Sequence, residues 1–283
     1  MHGMGVARLV ITVLCVCFCV LSAAAQSAND PGTAEARELL QQGVDAYKQG
    51  DFKRAIELFE KCVALEPYRV NSRLYLATAH ASQYIPGAPN EENRGHADKA
   101  VEEFREVIRI DPTNLSAIDG IGSILFQVAG SPYDPDRFKE SLQYFKRHIE
   151  LSPADPEPHY WVGVIAWTLS FRANGEIRVE LRKATQRQAL RKDEPLPEYA
   201  RREFERDFGP IVDEGIEHLR KAMELREDYE DAMAYLNLLY RQKADMAPIE
   251  VEREEWLARA DELVDQVKAI KMKKMGLDEP RKH

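Results

Sequence analysis

Cysteine is scarce where it would add stability. Of the four in the chain, Cys15, Cys17 and Cys19 fall within the first 25 residues, and Cys62 stands alone after them. With those 25 residues set aside no intramolecular disulfide is possible, so stability has to come from packing. The sequence also contains no Gly-rich phosphate loop, no HExxH, no CxxC and no GxSxG. The usual sequence grounds for nucleotide, zinc-hydrolase, thiol-redox or serine-hydrolase chemistry are therefore missing. Glycine and proline number 15 each in 283 residues, too few for a fibrous or low-complexity chain. Basic charge is outweighed: 39 Lys and Arg against 48 Asp and Glu give a net charge of −9. Such a surface disfavours nonspecific contact with nucleic acid or with an anionic membrane.

What is present falls into two kinds of sequence. Residues 1–25 carry Arg8, then an apolar run from Leu9 to Leu21 interrupted by Thr12, then Ala23-Ala24-Ala25. This is the pattern of an export signal, with cleavage expected before Gln26 and a periplasmic or extracellular destination. The alternative is an uncleaved anchor helix facing the periplasm, since the run approaches the ~17–20 residues a membrane span requires. Without residues 1–25 the chain keeps 38 basic and 48 acidic residues, a net of −10. The whole chain is 44% hydrophobic and 31% charged, enough for a sizeable core.

The rest is periodic. Residues 39–67 read LLQQGVDAYKQGDFKRAIELFEKCVALEP. Gly43 is a small residue on a first helix (helix A), Gly50-Asp51-Phe52 makes a turn, Ala55 and Phe59 form a small-then-large pair on a second helix (helix B), and Pro67 stops it. With Ala36 as position 1, positions 20, 24 and 27 hold Ala55, Phe59 and Cys62. The same register gives Ala100, Phe104 and Val107, then Ser141, Phe145 and His148, then Gly215, Leu219 and Ala222, and more weakly Ala260, Val264 and Val267. Small residues let antiparallel helices approach and large ones fill the space to the next pair. These residues resemble the tetratricopeptide repeat family over about residues 36–271. Within it, YIPGAPNEEN and DAMAYLNLLYRQKAD are similar to segments of uncharacterised exported bacterial members. The resemblance implies an all-α solenoid of about five helix-turn-helix repeats, about 36–69, 70–114, 115–155, 156–229 and 230–271. They are preceded by a linker at 26–35 and followed by a basic tail at 272–283.

Four repeats are longer than the 34-residue frame, by 11, 7, 40 and 11 residues, and each excess falls between helix A and helix B. In a stacked array such turns share one rim, and insertions on one face often mark a binding face. They are also where extra residues do least harm. The largest insertion, about 168–212, is expected to form an extra helical hairpin, broken at Asp193–Pro197 with Asn174-Gly175 dividing its first helix. Residues 172–192 hold seven basic side chains against Glu176 and Glu180. Arg178, Arg182, Lys183, Arg187 and Arg191 form a candidate basic docking patch, or a solvated helix face.

The resemblance further implies that polypeptides bind the concave groove lined by helix A. The matching positions here are Tyr47, Lys48, Leu74, Tyr75, Thr78, Asp119, Ser123, Phe126, Tyr160, Val164, Trp167, Leu238 and Arg241. The carboxylate clamp that some members carry is not matched, because position 5 holds Leu40, Leu74, Asp119, Tyr160 and Ala234. The groove therefore reads as aromatic and mixed, suited to an apolar peptide or partner helix. Tyr160, Trp161 and Trp167 fit the core equally well.

No catalytic set emerges, and no cofactor or metal is expected. Cys62 reads as a packing residue, Glu214 and His218 as a surface ion pair rather than a metal site, and His96 and His159 as isolated residues. The resulting expectation is a non-enzymatic, exported interaction scaffold with a protein or peptide partner and no nucleic acid. Its rivals are a membrane-anchored envelope assembly factor and a cryptic metal-dependent enzyme in the long insertion.

Overall fold

The computed structural model describes residues 33–185 and 194–276. The expected export signal, most of the expected 26–35 linker and the end of the expected tail lie outside these residues. Among those described there are ten helices and no strand, apart from an isolated bridge between Gly130 and Tyr133. The chain divides into two compact units, the first ending at Ile124 and the second starting at Leu125.

The first unit contains α1 (Ala34–Lys48), α2 (Phe52–Leu65), α3 (Val70–Gln83), α4 (Glu91–Ile110) and the start of α5 (Leu115–Ala129). Local chemistry sets the ends. The Thr33, Asp51 and Asn90 side chains accept from backbone N–H groups of the first turns of α1, α2 and α4. Pro67 and Pro112 follow the ends of α2 and α4, where a proline cannot extend the helix. Gly50, at φ 80°, makes the left-handed bend between α1 and α2. Ala55, Phe59 and Cys62 are fully buried. A Cβ added at Gly43 would enter the Phe59 ring, so the glycine is what lets α1 and α2 close on each other. The Cys62 thiol is held within 3.2 Å of the Ala36 carbonyl and 3.0 Å of the Ser72 hydroxyl, as befits a packing residue.

The break at 84–90 is a built loop. Asn93, on the first turn of α4, accepts from the Ile85 N–H at 2.7 Å and donates to the carbonyls of Ile85 and Ala88 at 2.9 and 3.1 Å. Part of that insertion is helix as well, since α4 has 20 residues where α2 has 14.

The second unit contains the end of α5, then α6 (Pro135–Leu151), α7 (Pro156–Thr185), α8 (Glu198–Leu225), α9 (Glu230–Met246) and α10 (Glu250–Lys274). The repeat register holds here too: Ser141, Phe145, His148, Leu219, Ala222 and Ala260 are buried. Gly163 meets Leu219 as Gly43 meets Phe59. In the last pair Asn237 occupies the slot of those glycines and donates to the Ala260 carbonyl at 2.5 Å. Both groups are buried, so a polar contact replaces an apolar one at the same helix crossing.

The long insertion takes a different form from the one its sequence suggests. The hairpin is a prolongation of helices A and B themselves: α7 runs unbroken for 30 residues and α8 for 28. Asn174-Gly175 does not divide α7. Asn174 is buried and donates to Gln242 Oε1 at 3.0 Å and Asp245 Oδ2 at 2.7 Å, so its polar side chain is satisfied by α9 and the helix continues. No described helix is long and apolar enough to cross a membrane.

Candidate binding surface

In the second unit α7 and α9 lie side by side as helix A neighbours. Their shared face carries aromatic rings in mutual contact. Tyr160 meets Tyr235 edge-on at 5.6 Å and Tyr229 at 5.3 Å. Trp167 meets Tyr235 edge-on at 5.3 Å and stacks on Phe171 at 5.0 Å. Such offsets match the ring quadrupoles and stiffen the wall. Tyr160, Trp167 and Tyr235 are half-buried, and Phe171 is 48% exposed. The indole Nε1 of Trp167 is buried without a hydrogen-bond partner among the described residues. At one end of the wall Glu157 accepts from the Tyr229 hydroxyl at 3.0 Å and from Arg226 at 3.1 Å. Burial, with the Glu157 charge behind it, pushes the Tyr229 phenol up, and burial then Asp231 does the same to Tyr235. Both phenols are neutral donors at any physiological pH.

The residues placed on the groove by sequence divide three ways. Phe126, Tyr160, Trp167, Leu238 and Arg241 are half-buried in the second unit, with Arg241 held by Asn237 and Asp261. Tyr47, Leu74, Thr78, Asp119 and Ser123 are half-buried and Lys48 is exposed in the first unit, where the Tyr47 hydroxyl meets Ser82 Oγ at 2.8 Å. Tyr75 and Val164 are core residues, 5% and 2% exposed, and do not line a surface. Tyr75 stacks on Phe59 at 5.4 Å. Phe171 was missed because it lies beyond the family's groove positions, and its i, i+4 spacing from Trp167 was the available signal. Tyr235 was missed although it holds the position in its repeat that Tyr75 holds in the second.

The basic patch does not stand as one surface. Arg178 donates to Asn174 Oδ1, to the Glu194 carbonyl and to Asp245 Oδ2, and its side chain is 13% exposed. It is a clasp between α7, the segment before α8 and α9. Lys183 pairs with Glu180 at 2.7 Å. Arg182 is exposed, and Arg187 and Arg191 lie outside the described residues.

Two histidines read as isolated are paired. His80 and His96 face each other at 3.0 Å between Nδ1 atoms, and His159 and His218 at 2.8 Å. The expected Glu214–His218 ion pair does not form: Glu214 pairs with Lys146 and His218 with His159. No group of three His, Cys, Asp or Glu placed to hold a metal occurs among the described residues.

The comparisons with known proteins agree with this architecture. The tetratricopeptide repeat family model matches residues 36–69. The small glutamine-rich tetratricopeptide repeat-containing protein 2 of Mycosarcoma maydis is 26% identical over 128 residues, 45% of this chain and 31% of its own length. The RNA polymerase-associated protein CTR9 of Caenorhabditis elegans is 28% identical over 118 residues, 42% of this chain and 9% of its own. The chain thus matches under a third of either relative. Among solved structures, MamA aligns with a TM-score of 0.54 at 16% identity, covering 82% of this chain and 93% of that one. YrrB, described as a TPR protein with an unusual peptide-binding site, aligns with a TM-score of 0.51 at 15% identity, covering 90% and 97%.

Proposed function

On the premise that the chain is a protein of tetratricopeptide-repeat fold whose first repeat matches the family model, we propose that it is an exported, non-enzymatic scaffold. It holds an apolar peptide or partner helix against the helix A face of the second unit. The observation that carries this is the aromatic wall of Tyr160, Trp167, Phe171 and Tyr235, preformed by ring contacts and open at Phe171. Preformed aromatic surfaces lose little conformational entropy on binding, which is why such residues dominate binding energy. YrrB, of the same fold, is described as having a peptide-binding site. Export rests on the Arg8, Leu9–Leu21 and Ala23–Ala25 pattern.

Two readouts on protein taken from its native cells test this. The mature N-terminus begins at Gln26 if the signal is cleaved; a chain that keeps Met1 and fractionates with membrane supports the anchored assembly factor instead. Photo-crosslinkers placed at Phe171 and at Tyr68, an exposed residue of the first unit, should capture a partner at Phe171 only. Equal capture at both sites, or none, removes the wall from the account.

A further inference from the structure

The prolonged halves of α7 and α8 enclose an open furrow of about 490 Å³ on the second unit. Its floor is apolar. Leu181 and Phe204 are buried, and Phe208 is half-buried at the wall. Its lip is acidic, with Glu176 and Glu180 on α7 and Glu203 and Asp207 on α8. Among the described residues no lysine or arginine lines it.

Two basic residues of this stretch, Arg178 and Arg172, are turned elsewhere. Arg178 reaches Asp245 on α9 at 2.9 Å, and Arg172 lies 5.2 Å from the Tyr133 ring centroid. Three lip carboxylates pair with exposed neighbours on their own helix: Glu180 with Lys183, and both Asp207 and Glu203 with Arg206. Exposed pairs of that kind are worth about 0–1 kcal/mol and exchange readily. An apolar trough bordered on both sides by carboxylates is the complement of an amphipathic helix with one apolar face and basic flanks. A strand is excluded as occupant, because both walls are helices whose backbone groups are already paired, leaving no edge to extend. The floor spans residues 173–184 of α7, roughly 16 Å at about 1.5 Å per residue, or three turns of a docked helix.

We infer that this furrow is a second docking site, for a basic amphipathic helix of a partner protein. It does not depend on the aromatic wall. The two share no lining residue: Trp167 and Phe171 precede the furrow's stretch of α7, which begins at Ala173. A second copy of this chain is the weaker occupant. The basic end of α10 uses Val267 and Ile270 in its own core, and Lys271 and Lys274 reach Glu230.

The test uses the full chain and three fluorescent 18-residue peptides: a Leu/Lys amphipathic helix, the same helix with Glu for Lys, and a scramble of the first that keeps its charge but has no apolar face. Fluorescence anisotropy should show saturable one-to-one binding of the first, at least tenfold tighter than either control. The E176K/E180K variant, altered only at exposed positions, should keep its helicity and melting temperature, lose at least tenfold for the Leu/Lys helix and gain affinity for the Glu helix. Phe171→Ser should leave this binding unchanged. The proposal is overturned if the scramble binds as well, if E176K/E180K has no effect, or if Phe171→Ser abolishes binding, which would assign the peptide to the wall. It is also overturned if sedimentation shows a dimer that E176K/E180K dissociates, which would make a second copy the occupant.

Discussion

His159 on α7 and His218 on α8 meet Nδ1 to Nδ1 at 2.8 Å, and His159 Nε2 lies 3.2 Å from the Pro153 carbonyl. Two ring nitrogens at that distance share one proton, so one ring donates and the other accepts. Charging both rings would set two N–H groups against each other.

Acid should therefore loosen both histidine-paired helix contacts. Burial, followed by the neighbouring charges of Lys99 and His96, holds His80 down at about 4. Burial also lowers His159 and His218; Lys221 and His148 press on the first and Lys146 on the second, against Asp155, Glu214 and Glu217. A histidine lowered on folding binds fewer protons in the native chain than in the unfolded one. Stability is full above the unfolded value near 6.5, falls as pH drops below it, and levels off below the folded value, about 4 for His80. The melting temperature should fall by several degrees between pH 7 and pH 5, and His80→Leu should flatten part of that slope. A melting temperature constant over this range would contradict the pairing.

One substitution should have opposite signs at two glycines. At Gly43 an alanine Cβ drives into Phe59, an overpacking cost of about 1–3 kcal/mol that exceeds the gain in helix propensity. At Gly175 nothing lies within 4 Å of the added Cβ, so alanine should stabilise α7 by up to about 1 kcal/mol. Urea midpoints of the two variants check this directly.

Arg178 should behave as a structural clasp. Its partner Asp245 is 14% exposed, so Arg178→Met leaves a partly buried carboxylate without its cation, at a cost of about 3 kcal/mol. Removing both charges in R178M/D245L should recover much of that loss, because no unpaired charge remains. A solvated docking residue would show neither effect.

This clasp also marks where the sequence stops being legible. The small and large positions from Ala55 and Phe59 to Ala260 are readable because close helix approach permits few residue types, and nearly all of them are buried as expected. The continuity of α7 was not readable, because Asn174 and Gly175 look like a breaker until Gln242 and Asp245, some 70 residues later, supply the hydrogen bonds. Seven basic residues in a row of 21 gave the charge of the insertion but not its direction. The acids Glu176 and Glu180 face the furrow while Arg178 faces α9. Val164 was misplaced because the family pattern assigns position 9 of a helix A to the groove, whereas here that side chain is 2% exposed.

The central claim is that the aromatic face of α7 and α9 is a binding surface. The most direct test is to select peptides from a random display library on the immobilised full chain, then titrate the enriched peptide against wild type, Phe171→Ser and Tyr235→Leu. The account predicts saturable binding of an apolar or aromatic sequence, weakened at least tenfold by either substitution while helicity and cooperative melting persist. Enriched peptides that bind all three proteins alike would contradict it.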